Sequence, residues 1–253
     1  MNSLHKETYS LCLVFPMGIE AYPFLKRVET RHRSKIGKAI LRECFFEGER
    51  FLVLRSGIGP ERAANAVRSM PSDARFILSV GTAGALSPEL SLGQIVVVSE
   101  TINANQTDQV VNSEDIVVNQ LVEACLHSNQ EHIVRRVATN HKAVFSQRSR
   151  LELNRSTLAS AVDMESHAIA SEAQRRGSAF GGLRVISDTL ESDSLPQRVD
   201  FRALMKNPLQ APLKFASFVR WRNFMKQFFM AIGKLDPVLI NFLPLHKRDG
   251  EEN

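Results

Sequence analysis

Three carboxylates stand where a sequence seldom leaves charge. In Ala161-Val-Asp-Met-Glu165 and in Arg184-Val-Ile-Ser-Asp188, an apolar run ends in acidic residues just as a new segment opens. Asp163, Glu165 and Asp188 are therefore expected at strand ends, where open α/β sheets hold their ligands. Carboxylates converging on one crevice can divide a reaction, one gripping hydroxyls and another delivering a proton. The same residues also fit a plainer role. Asp163 and Glu165 would be favoured at a helix N-terminus by its dipole, and Asp188 before Thr189 could cap a turn.

The rest of the chain must position them. Short apolar runs alternate with helix-like segments over the first 190 residues. Leu11–Phe15, Phe76–Val80 (closed by Gly81), Gln94–Ser99, Ile133–Ala138, Leu158–Met164 and Gly182–Ile186 read as strands. Ala39–Phe46 and Arg50–Arg55 read as a hairpin around Glu47-Gly-Glu. Glu61–Met70 reads as a helix opened by Gly59-Pro60, with Pro where a missing N–H costs nothing. Asp115–Ser128 has helical spacing, with Ile116, Leu121, Val122 and Leu126 on one side, and Glu165–Arg176 is a helix stopped by Gly177. Strands alternating with helices imply a largely parallel sheet covered on both faces.

Two glycine-rich stretches lie near strand ends. Gly81 and Gly84, in Leu78-Ser-Val-Gly-Thr-Ala-Gly, are expected in a turn that lets backbone N–H groups approach a ligand. Gly57 and Gly59, in Ser56-Gly-Ile-Gly-Pro-Glu-Arg, open a helix suited to an anion or a hydroxylated ligand. Neither carries the Gly-Lys-Ser/Thr ending of a P-loop.

Composition bounds the rest. Of 253 residues, 43% are hydrophobic and 23% charged, ordinary for a globular protein with one large core. The 3 cysteines include no C-x-x-C pair, which argues against a disulfide framework or zinc site and fits a reducing cytoplasm. The apolar run Leu11–Phe15 is too short for a signal peptide core or a membrane span. A net charge of +5 without basic runs interleaved with aromatics fits a solvated surface rather than a nucleic-acid site. After about Pro196 the composition shifts to Phe, Leu, Lys and Arg, punctuated by Pro208, Pro212 and Pro237. Lys214–Ile232 can form an amphipathic helix. Phe218, Trp221, Met225, Phe228, Phe229 and Ile232 share a face, Arg220, Asn223, Gln227 and Lys234 oppose it, and Arg222 lies at the edge. Such a helix packs on the core or a sister subunit, or meets a membrane surface. The expected organisation is a domain over 1–200, a helical extension over 201–246 and a charged tail over 247–253.

Taken together, the segments resemble the nucleoside phosphorylase/nucleosidase superfamily, closer to its hydrolytic branch of methylthioadenosine/S-adenosylhomocysteine nucleosidases. The resemblance rests on five stretches in family order across roughly residues 10 to 190: Phe15-Pro-Met-Gly-Ile-Glu20-Ala, Ser56-Gly-Ile-Gly-Pro-Glu-Arg62, the long run from Ser79 to Val97, Val162-Asp-Met-Glu-Ser-His-Ala-Ile-Ala170 and Arg184–Asp188. It implies a three-layer α/β sandwich with a central mixed sheet, and cleavage of a nucleoside's glycosidic bond without metal or organic cofactor. By this resemblance Glu20 activates the attacking water, and Asp188 faces purine N7 and the 6-amino group and is the catalytic acid that protonates N7. Glu165 holds the ribose hydroxyls, Met164 lies against the ribose and Thr82 sits close to the sugar. Ala83, Gly84, Asp163 and Ser187 complete the substrate-binding set, while Arg184, Gly57 and Gly59 support it. Breaking C1′–N9 leaves an oxocarbenium-like sugar and an unstable purine anion. Protonation of N7, worth roughly 10²–10⁴-fold in rate, would make the base a better leaving group. Phe145 is a candidate to stack on the purine. His167 reads as a packed helix residue.

The departures set the substrate expectation. Phosphorylases of this superfamily commonly place an arginine where this chain has Ser79, and a Gly-Asp-Pro loop where it has Met17-Gly-Ile-Glu20; their loss favours water over inorganic phosphate. The stretch from Thr101 to Val111 lacks the His-Asp-rich motif usual in methylthioadenosine nucleosidases. The pattern Val162–Ala170 with Asp188 and Leu195-Pro196 is more similar to the phosphorylase-like proteins associated with hopanoid biosynthesis, which act on adenosylhopane. The expectation is therefore cleavage of a 5′-substituted adenine nucleoside, lipid-linked or thioether-linked, by a cytoplasmic homo-oligomer able to touch the inner membrane face. A phosphate-dependent phosphorylase and a non-catalytic nucleoside-binding protein on the same fold are the alternatives.

Overall fold

The computed structural model describes residues 8–191 and 215–248. The first half runs β1 (Thr8–Phe15), α1 (Gly18–Leu25), β2 (Glu29–Ile36), β3 (Ala39–Phe46), β4 (Glu49–Arg55), α2 (Pro60–Arg68), β5 (Asp73–Ala85), β6 (Ile95–Asn103) and β7 (Gln106–Asn112). It continues with α3 (Asp115–His127), β8 (His132–Thr139), α4 (Gln147–Thr157), β9 (Ala161–Asp163), α5 (Ser166–Arg175) and β10 (Ala179–Asp188). Two helices close the described chain, α6 (Phe215–Ile232) and α7 (Leu235–Arg248).

The mixed sheet has a closed half and an open half. Strand β5 pairs in parallel with β10, β10 antiparallel with β6, β6 in parallel with β8, β8 in parallel with β9, and β9 antiparallel with β5. These five strands form a small ring. From β5 the sheet opens outward through parallel β1 and β4, then antiparallel β3 and β2. Helices α1, α3 and α7 cover one face through Phe24, Leu121, Ala124, Leu239 and Phe242. Helices α2 and α5 cover the other through Ala63, Val67, Ile169 and Ala173. The expected sandwich is present, with ring closure as an added feature.

Several elements differ from the sequence reading. Strand β5 does not stop at Gly81; it runs on to Ala85, because β9 and β10 pair with its second half. The strand expected over Leu158–Met164 is only Ala161–Asp163, and Leu158 ends α4 at φ 56°. On α3 the buried stripe is Val117, Gln120, Leu121, Ala124 and Cys125, whereas Ile116 and Leu126 are exposed. Gln120 hid this stripe from a reading by polarity; it is buried against His246 of α7, 3.3 Å away.

The C-terminal helices enter the same core as the sheet. Ala231, Leu235, Val238, Leu239, Phe242, Leu243 and Leu245 pack with residues of β1, β5 and β10. On α6, Phe228 and Ile232 are buried as expected, but Phe229 is 52% exposed. The expected positions of Phe218, Arg220 and Trp221, the prolines at 208 and 212, and the tail beyond 248 lie outside the described side chains. Among the described residues, Met225–His246 alone is long and apolar enough to cross a membrane by length and composition. Half of it is buried within the fold, and the chain turns at Gly233-Lys234 between the two helices.

Candidate active site

The parallel strands β1, β4, β5 and β10 all end at one side of the sheet, and a cleft opens there. Glu20, Thr82, Ala83, Gly84, Asp163, Met164, Glu165, Ser187 and Asp188 all line it. Each arrives from a different end: Glu20 one turn into α1, Glu165 as the residue before α5, and Asp188 as the last residue of β10. The register of β10 on β5 sets Asp188 opposite Gly84, past an irregularity after Ile186.

Glu20 is 2% exposed. Its Oε1 accepts from the Thr82 amide at 2.9 Å and the Thr82 hydroxyl at 3.0 Å. Its Oε2 accepts from the Met17 amide at 3.0 Å, so the acid that opens the helix is also a buried wall of the cleft. Burial raises its pKa above the usual carboxylate range, although the Thr82 and Met17 donors and the Arg184 charge oppose the shift.

Glu165 is buried as well, and its Oε1 accepts from the Gly59 amide at 2.6 Å. Gly59 holds φ 102° at the start of α2, a conformation that favours glycine. The helix opening expected to greet an anionic ligand thus greets the protein's own carboxylate. Burial, reinforced by the nearby Asp163 charge, raises the Glu165 pKa to about 8. Gly57 sits at φ 91° in the same turn, close to Arg62.

Asp163 has a structural task. Its oxygens accept from Arg184 Nε at 2.7 Å, Thr139 Oγ1 at 2.7 Å, and the amides of Glu165 and Ser166. Arg184 is fully buried and also donates to Ser79 Oγ at 2.6 Å and Ser166 Oγ at 2.8 Å. This network locks the start of α5, and with it Glu165. Gly81 and Gly84 serve the carboxylates rather than a turn. A Cβ at Gly81 would stand 3.0 Å from Glu20 Oε1, and one at Gly84 would stand 3.1 Å from Asp188 Oδ2.

The sequence reading missed Arg150. This α4 residue lines the cleft, is 3% exposed, and forms an ion pair with Asp188 Oδ2. Ser187 Oγ stands 2.8 Å from the other oxygen, Oδ1. No residue-type signal separates Arg150 from Arg148 and Arg155 on the same polar helix. Lys142, Ile58 and Phe228 also line the cleft, and Phe145 is there with Phe228 against it. His167 is buried on α5 and lines a different hollow, as a packed residue should.

A mixed sheet with a ring-closed half and acidic residues gathered at the strand ends defines an α/β enzyme-type fold with a small-molecule cleft. The sequence profile of the phosphorylase superfamily matches residues 10–208, and the chain belongs to that superfamily. Its architecture is similar to 5′-methylthioadenosine/S-adenosylhomocysteine nucleosidase from Neisseria meningitidis in complex with methylthio-immucillin-A (TM-score 0.74, 18% identity, covering 93% of this chain and 98% of that one). It is similar to futalosine hydrolase of Helicobacter pylori (0.73, 17%, 98% and 100%). A third similar structure is the methylthioadenosine/S-adenosylhomocysteine nucleosidase from Colwellia psychrerythraea in complex with adenine (0.76, 17%, 96% and 97%). No curated protein matches the sequence.

Proposed function

We propose that the protein cleaves the N-glycosidic bond of a 5′-substituted adenine nucleoside with water as the nucleophile. The observation that carries this reading is Glu20: a buried carboxylate, oriented by three donors, facing the same cleft as Glu165 and Asp188. In the reaction, the C1′–N9 electron pair leaves with the base. Water bonds to C1′ and its proton passes to Glu20, much as a base carboxylate acts in an inverting glycosidase. Glu165 accepts from the ribose hydroxyls and, in its ionised form, which with a pKa raised to about 8 is favoured at alkaline pH, offsets the growing positive charge on the sugar. Asp188 stands at the edge of the departing purine and passes a proton to N7, so that the base leaves as neutral adenine while the proton taken by Glu20 returns to solvent.

Two further observations support the reading. The named relatives of similar fold are hydrolases or nucleosidases, one holding adenine. Ser79, at the position where phosphorylases of the superfamily commonly hold phosphate with an arginine, is fully buried and bonded to Arg184. Met17, Ile58, Phe145 and Phe228 give the cleft an apolar stretch of wall, with Lys142 also lining it. The apolar stretch suits a hydrocarbon or thioether at the 5′ position.

The test is product analysis with a panel of adenine nucleosides, in the presence and absence of inorganic phosphate. Free sugar and adenine, at a rate indifferent to phosphate, are expected. A sugar 1-phosphate product would overturn the hydrolytic reading. Tight binding without cleavage would make the chain a nucleoside-binding protein.

A further inference from the structure

A cluster of positive charge lies outside the cleft, on the sheet face that α1 covers. Arg33 of β2 and Arg42 of β3 are direct cross-strand partners, so their side chains leave the same face with Cβ atoms about 4.5–5.5 Å apart. Arg42 lies opposite Val53 of β4, and Arg55 is the next residue of β4 on that face, diagonal to Arg42 at about 7–8 Å. Arg42 and Arg55 are half-buried, and Arg33 is exposed on the edge strand. Arg55 lies against the first residue of α1: a Cβ at Gly18 would stand 3.6 Å from Arg55 Cδ. Among the described residues, none of the three arginines makes a hydrogen bond or an ion pair. The acids of the hairpin are engaged elsewhere. Glu43, on the opposite face of β3, pairs with Arg50 at 3.4 Å, and Glu29 pairs with Arg31 at 2.9 Å.

Three guanidinium groups side by side with no acid between them burden the fold. Like charges directly opposite on a sheet repel, and the half-buried ones have lost part of their hydration. Arg42 shows both effects: burial first, then the Arg33 and Arg55 charges, hold its pKa below the usual arginine value. A dianion seated among the three would turn repulsion into attraction. Guanidinium forks match the oxygens of a phosphoryl group with paired N–H donors, which a single carboxylate uses less fully. The cluster spans one cross-strand pair and one diagonal, the size of one or two phosphoryl groups and too short to track a nucleic-acid backbone. We propose that Arg33, Arg42 and Arg55 form a binding site for a small phosphorylated ligand, separate from the nucleoside cleft. None of the three lines that cleft. Met17 and Glu20, which do line it, flank Gly18 at the opening of α1, so the two sites share that turn.

The test uses pyrophosphate as the probe, titrated by calorimetry into the full chain at low salt. Wild type should bind it, and Arg33→Gln and Arg42→Gln should each weaken binding at least about tenfold, the scale of one charge-assisted pair. Lys142→Met, which removes a cation from the cleft, should bind pyrophosphate as wild type does. Pyrophosphate should also raise the melting temperature of wild type and not that of Arg42→Gln, because a ligand stabilises only the fold that binds it. Arg33 is exposed, so Arg33→Gln decides alone if Arg42→Gln does not fold. No binding by wild type, or equal binding by the arginine variants, would overturn the proposal. Binding lost in Lys142→Met would put the anion in the cleft and overturn it too. Anionic lipid vesicles that bind wild type but not Arg33→Gln, and that pyrophosphate does not displace, would make the patch a lipid contact and overturn the small-ligand site.

Discussion

Glu20 and Glu165 are carboxylates lodged where water has been removed, and each has a measurable signature. Glu20→Gln keeps an acceptor for Thr82 but cannot take a proton from water. The variant should lose about two or more orders of magnitude in kcat, with a smaller change in KM, in steady-state kinetics. An unchanged kcat would remove Glu20 from the chemistry. Glu165 has a folded-state pKa raised to about 8 by burial and Asp163. Below the unfolded value the group is protonated in both states and carries no penalty. As pH climbs toward 8, the unfolded chain releases the proton and the fold does not, so stability falls, by up to about 1.4 kcal/mol per pH unit for one proton. Denaturant melts between pH 5 and 8 should therefore show a downward slope that Glu165→Gln reduces. Some slope will remain, because Glu20 shifts the same way. Asp163, Glu165 and Asp188 were legible because each closes an apolar run, and Glu20 because the stretch Phe15–Ala21 resembles a family motif. Arg150 was not, because a lone arginine on a polar helix looks solvated until the fold closes over it.

At the scale of elements, the site is made by strand ends and by missing side chains. Strand β10 lies so close to its coverings that Gly181 and Gly182 have no room for a methyl group. A Cβ at Gly182 would stand 2.6 Å from Val98 Cγ2, and one at Gly181 would stand 2.4 Å from Val117 Cγ1. Gly182→Ala should destabilise the fold by about 1–3 kcal/mol, the cost of overpacking, read from urea unfolding midpoints. Gly84→Ala should act differently. Its new methyl would press on Asp188 and Arg150 at the floor of the cleft, so catalysis should suffer more than stability, and comparing kcat/KM with the melting temperature separates the two. The glycines were visible in the sequence, and a turn was the natural reading, since glycine followed by small residues usually bends a chain. Their actual role depends on which strand lies alongside, and pairing partners are not written locally. The same limit hid β7, a strand whose residues are mostly polar and exposed, and shortened β9. The hairpin of β3 and β4 and helices α2 and α5 were legible, because periodicity and turn residues there agree with the tertiary packing.

The whole molecule joins a small closed ring of strands to an open sheet, and the cleft lies where ring and sheet share the end of β5. The C-terminal helices complete that cleft rather than merely follow it: Phe228 of α6 closes it beside Phe145, while α7 fills the core behind. Removing them would open the core, so their outward face must be tested in the full chain. That face carries Phe229 at 52% and Met230 at 56% exposure, with Arg222 and Lys226 exposed on the same helix. Apolar residues flanked by cations on a helix surface are the make-up of an interfacial contact with anionic lipid. Such a contact would hold the cleft near a membrane, where a nucleoside with a hydrocarbon tail would reside. Wild type should therefore sediment with vesicles containing anionic lipid, and less at high salt, because screening weakens the cationic share of the attraction. The double variant Phe229→Glu/Met230→Glu should stay in the supernatant while cleaving a short, soluble adenine nucleoside at the wild-type rate. If wild type also stays in the supernatant, membrane contact is excluded and the exposed pair is a surface feature of the helix that walls the site.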